Sequence, residues 1–173
     1  MSKNDLENKT IEIWDSHFHL WDVSENTTSG HDASQLFAPN DNLIYSMESY
    51  SKDISLAGST FRHIGGAFCE AVSACHVGTS GDEYISACLA ETSYASKELS
   101  TAKTNNIIIS TAPLEDVNIG KILTQLAEDP LVRGVRQILN FEPPWPRNKQ
   151  LGDLLCDPKW QQGYAELKNF SMS

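Results

Sequence analysis

The feature that most constrains this chain is a rhythm in which short apolar runs of β-type residues alternate with segments of helical spacing. Ile11-Glu12-Ile13-Trp14-Asp15 opens the series, with isoleucines two apart, and runs into Ser16-His17-Phe18-His19-Leu20-Trp21-Asp22. Ile64 to Val72 is a nearly unbroken apolar run, as expected of a strand buried on both faces. Ile107-Ile108-Ile109 and Val132 to Leu139 are the third and fourth strand candidates. Between these runs, Leu43, Met47, Tyr50 and Ile54 outline a helix from Leu43 to about Leu56. A second helix is expected from Asp82 to Lys103, with Ile85, Leu89, Thr92, Ser96, Leu99 and Ala102 on one stripe. A third spans Glu115 to Glu128 with Ile119, Ile122, Leu123 and Leu126 inward, stopped by Asp129-Pro130. Asp157-Pro158 starts a fourth, since proline is tolerated in a first turn, and that helix carries Trp160, Tyr164 and Leu167.

Such alternation predicts an α/β fold with a parallel sheet. Four βα units are half of an eight-fold barrel, which typically takes about 250 residues, while rhythm alone also admits an open doubly wound sheet. The 173 residues suit one domain or part of one. Residues 1–10 read as a polar tail and 11–173 as the domain. Residues 23–40 read as a polar, turn-rich loop, and Pro143-Pro144-Trp145-Pro146 is expected to make a stiff one. Gly65-Gly66 lies inside a strand candidate and opens no helix, so no phosphate-binding fingerprint is present.

A net charge of −10 argues against a surface that tracks phosphates, which excludes nucleic acid and anionic membrane as partners. No apolar stretch approaches the ~20 residues that span a bilayer, and the polar start lacks the apolar core of a signal peptide. A cytoplasmic location is therefore expected. Cys69, Cys75, Cys88 and Cys156 form no C-x-x-C pair and read as reduced, mostly buried thiols.

Chemistry concentrates in Asp15-Ser16-His17-Phe18-His19. On a regular strand alternate residues share a face, so Asp15, His17 and His19 point one way. Two imidazoles so placed can grip one metal ion, with Asp15 orienting a histidine from behind; the other reading is a histidine pair at a strand end with no ligand role. Glu70 ends an apolar run, where a carboxylate needs a partner. It can bind metal, hold an arginine or act as a base, and the salt bridge is the favoured role. Arg133 and Arg136 flank Gly134 and would face opposite sides of a regular strand. An arginine there can brace strands through an ion pair, with Glu70 as the partner for Arg136. His31, His63 and His76 have no spacing logic and read as structural or surface residues, and Trp145 is either a pocket wall or a loop tip.

The segment IWDSHFHLWD resembles the opening of the amidohydrolase-related family, whose members carry D-x-H-x-H-L-W-D at the end of their first barrel strand. Phe68-Cys69-Glu70-Ala71 resembles the family's second strand with its terminal glutamate. Leu131 to Gln137 resembles its G-[VI]-R strand, and Trp160 to Leu167 its W-x-x-G-x-x-x-L helix. The four stretches occur in order over residues 11 to 170. The resemblance implies a parallel (β/α) barrel of TIM type, present as roughly its N-terminal half. It further implies a hydrolase acting on a small, carboxylate-bearing carbonyl substrate, a lactone or cyclic ester, through an activated water. In metal-using branches His17 and His19 would be the ligands, to zinc before other divalent ions, and some relatives work without metal. Arg136 would reach the pocket, with Glu70 beside it. Two alternatives are a decarboxylase-type lyase of the same superfamily and a truncated, non-catalytic fragment, for which self-association through open sheet edges is expected.

Overall fold

A computed structural model describes residues 10–24, 43–71, 80–139 and 152–173. Strand β1 (Ile11–Phe18) is followed by two short strands, β2 (Trp21–Asp22) and β3 (Ile44–Tyr45), which pair antiparallel. The chain then alternates: α1 (Met47–Ser55), β4 (Phe61–Cys69), α2 (Gly81–Ser100), β5 (Asn105–Ser110), α3 (Ile119–Ala127), β6 (Val132–Val135) and α4 (Pro158–Glu166). The main sheet has the order β1-β4-β5-β6, with every neighbouring pair parallel. The α/β fold with a parallel sheet is as the sequence predicts, and among the described residues the strand order advances without a reversal, as in part of a barrel or one half of a doubly wound sheet. His31, His76, Cys75, Trp145 and the proline-rich loop lie outside the described residues.

One face of the sheet meets the helices. Phe18, Phe68, Ile108 and Val132 join a single buried cluster with Met47 and Tyr50 of α1, Ala95 and Leu99 of α2, Ile122 and Leu123 of α3, and Trp160 of α4. Ile107 and Ile109, on the alternate positions of β5, stay only half-buried. α3 buries Ile119, Ile122, Leu123 and Leu126, the expected stripe, but begins at Ile119 because residues 114–118 form turns. There the Asp116 carboxylate accepts from the Asn118 amide at 2.7 Å. α4 begins as predicted, with Pro158 in its first turn and the Asp157 carboxylate capping the Lys159 amide.

The buried stripe of α2 differs from the expected one. Tyr84, Ala87, Cys88, Thr92, Ala95 and Leu99 face inward, while Ile85, Leu89 and Ser96 are half-buried. Ala95 and Leu99 join the core that covers the sheet, with Ile85 and Leu89 packed at its margin, while Tyr84, Ala87 and Cys88 form a separate buried cluster. α4 docks at close range. A Cβ on Gly163 would lie 1.9 Å from the Leu114 carbonyl oxygen, so only glycine admits this contact. Trp160 donates its indole N–H to Gln137 Oε1 at 2.7 Å, and Leu167 is buried, which gives the W-x-x-G-x-x-x-L pattern a structural reason. Beyond α4, the Ser173 amide donates to the Arg133 carbonyl and its carbonyl accepts from the Val135 amide. Ser173 thus lies parallel beside β6.

Candidate active site

Parallel strands bring their C-terminal ends to one edge of the sheet, and four singled-out residues meet there. His17 and His19 come from the end of β1, Glu70 directly follows β4, and Arg136 directly follows β6. The Nε2 atoms of His17 and His19 are 3.0 Å apart, with their rings at 73°. His19 Nδ1 donates to the Cys69 carbonyl oxygen at 2.9 Å. That bond fixes the His19 tautomer: Nε2 carries the lone pair, and the proton between the two rings belongs to His17. Burial holds the His19 pKa below its ordinary value, opposed by the bond to Cys69 and reinforced by the charges of His17 and Arg136.

Arg136 and Glu70 form an ion pair, Nη1 to Oε1 at 3.5 Å. Glu70 is fully enclosed whereas 38% of the Arg136 side chain is exposed, so the guanidinium is anchored from below and open above. Backbone bonds set both residues at the edge: the Glu70 amide donates to the Ile109 carbonyl, and the Arg136 amide to the Ser110 carbonyl. The Cys69 thiol is raised by burial and partly lowered by Arg136, which makes it a poor nucleophile. Arg133 departs from this group, since its guanidinium donates to the Pro130 and Val132 carbonyls.

Asp15 does not join the histidines as strict alternation predicts. In the β1–β4 register Asp15 faces Gly66 and Phe18 faces Phe68, three steps of one strand against two of the other. This bulge shifts the alternation between Asp15 and His17. The Asp15 carboxylate instead accepts from the Tyr50 hydroxyl at 2.7 Å and from the His17 amide at 3.0 Å. It therefore holds the backbone of His17, and among the described residues its bonds go to that amide and to Tyr50. Tyr50 stacks on Phe18 at 4.5 Å and approaches His63 at 3.5 Å, a connection with no signature in the weak helical pattern of residues 43–56.

No family model, curated protein or solved structure matches the chain. Site chemistry alone therefore carries the functional reading. A divalent metal fits the donor types once the His17 proton moves from Nε2 to Nδ1: the two Nε2 atoms, 3.0 Å apart, then both offer lone pairs, and the His19 N–H···O=C bond is the usual support for a ligating ring. Among the described residues no third histidine, cysteine or carboxylate completes a cluster with them. Also among these residues, no helix is long and apolar enough to cross a membrane.

Proposed function

We propose that the protein is a hydrolase of the amidohydrolase-related type, acting on a small carbonyl compound that carries a carboxylate, a lactone or cyclic ester. The observation that carries this reading is the meeting of His17 Nε2 and His19 Nε2, 3.0 Å apart, at the sheet edge where Arg136 stands open above Glu70. Arg136 binds the substrate carboxylate: a guanidinium has five donors, and Glu70 engages one side of it. Glu70 acts through Arg136, holding its fork in place. Without metal, the His19 Nε2 lone pair accepts the His17 Nε2–H, and it becomes available only when that proton leaves. His17 and His19 would together hold a divalent ion, zinc first, which supplies carbonyl polarisation and a more acidic water. Water adds to the carbonyl carbon, the ring C–O bond breaks, and the proton from water ends on the released alkoxide, giving a hydroxy acid.

Support for a TIM-type barrel comes from the strand order, which advances without reversal, and from Ser173 lying parallel beside β6. In that reading the outer edges of β1 and β6 meet further strands, from more polypeptide or from a second copy. A cytoplasmic setting accords with free thiols at Cys69, Cys88 and Cys156.

The test is turnover of a panel of carboxylate-bearing lactones, followed by product analysis. Ring-opened hydroxy acid, lost in the His17→Ala, His19→Ala double variant, is the expected result. Carbon dioxide release would assign the site to a decarboxylase-type lyase. Absence of turnover in a folded chain would favour a non-catalytic fragment.

A further inference from the structure

We propose that the cavity between the middle of β1 and α1 is a second binding site, which takes a small ammonium ion with an aromatic tail. The cavity encloses about 300 Å³, at the small end of the range for ligand pockets, and neither His17 nor His19 lines it. It is independent of the hydrolase reading.

Its walls are apolar and its polar groups gather together. Trp14 and Phe61 line it, each with 42% of its surface exposed, and Ile54 and Ala57 contribute from the α1 side. Large apolar side chains left this open around one concavity mark a place where another apolar body fits. Trp14 is not loosely placed. Its indole N–H crosses Gly65 to donate to the Asn105 carbonyl at 3.2 Å, and a Cβ on Gly65 would meet that same oxygen at 1.9 Å. The aromatic wall is therefore preset.

The polar group is Asp15 with Tyr50 and His63. The carboxylate accepts one bond at each oxygen, from His17 N–H and Tyr50 O–H, and a carboxylate can accept about four. Both donors are neutral. Among the described residues the ion pairs are Arg62–Glu12 and Arg136–Glu70, and neither includes Asp15. A half-buried negative charge held by neutral donors, with spare acceptor sites and aromatic faces alongside, is complementary to an ammonium group. The cation satisfies the carboxylate, the ring faces favour the same charge, and the tail covers Trp14 and Phe61.

Titration of the isotope-labelled full chain, followed at the Trp14 indole N–H by NMR, tests this with 2-phenylethylamine as the probe. The expected result is saturable binding, with the neutral isostere 2-phenylethanol weaker by about 10-fold or more. Asp15→Asn should remove that preference, and Ala57→Phe, at an exposed position, should fill the cavity and abolish binding of both compounds. Because Asp15→Asn also touches the β1 bulge, the amine-versus-alcohol comparison and Ala57→Phe decide the matter if that variant fails to fold. Equal affinity for amine and alcohol, no saturation by about 10 mM, or unchanged binding in Ala57→Phe would overturn the proposal.

Discussion

The middle of β1 and its C-terminal end carry similar residue types and use them in opposite ways. At the C-terminal end, His17 and His19 meet each other, and the His19 ring also bonds the Cys69 carbonyl. Farther down, Asp15 and His63 are joined through Tyr50, whose ring stacks on Phe18 in the core. One end leaves an arginine fork facing outward; the other uses one bond at each Asp15 oxygen to hold the strand and Tyr50. The β1 bulge separates them. Without it, strict alternation would put Asp15 beside the histidines. With it, the same carboxylate grips the His17 backbone from behind. Residue type alone therefore does not mark a site; the number of bonding positions left open does.

The comparison predicts that stability resides in the lower end and chemistry in the upper. Tyr50→Ala removes a buried ring and should destabilise the chain by about 3 kcal/mol in denaturant unfolding. Tyr50→Phe keeps the stack and should cost about 1 kcal/mol. His17→Ala, at an exposed position, should stay within about 0.5 kcal/mol of the parent. A large loss from His17→Ala would erase the distinction.

Arg136→Lys is the next largest effect, and it acts on turnover. The charge stays but the planar fork is lost, so a carboxylate-bearing substrate should be hydrolysed more than about 10-fold more slowly, or about 1.4 kcal/mol. The melting temperature should barely move. Unchanged kinetics with a lowered melting temperature would make Arg136 a brace for Glu70 and nothing more.

The smallest effect is with pH. The folded His19 pKa lies below 6.5, so between that folded value and 6.5 the unfolded chain binds more protons. Its contribution to stability is present above pH 6.5 and is lost as the pH falls through the folded pKa. A His19→Gln variant should flatten this acid-side slope in pH-dependent unfolding. An unaltered slope would mean that His19 is not held neutral by its surroundings.

Much of the fold was legible because its elements follow their own periods. The Ile107-Ile108-Ile109 run lies within β5, and the α3 stripe is buried residue for residue. The fourth strand was over-extended: β6 ends at Val135, although the Arg136 amide still bonds the Ser110 carbonyl. β4 begins at Phe61, earlier than the apolar run, because Arg62 and His63 pair with β1 despite their polarity. The α2 stripe differs because a second buried cluster of Tyr84, Ala87 and Cys88 draws the first turns inward on a face that the apolar pattern does not mark. Within the site, the His17–His19 pair and the Glu70–Arg136 bridge were readable from spacing and from a lone carboxylate ending an apolar run. The role of Tyr50 was not. It depends on a one-residue bulge and a contact between positions 35 apart, neither of which leaves a local pattern.

Metal analysis tests the account of the upper site most directly. The purified chain, incubated with zinc and then desalted, should retain a divalent ion, and the His17→Ala, His19→Ala variant should lose it. Equal metal content in the two proteins would contradict the assignment of His17 and His19 as ligands.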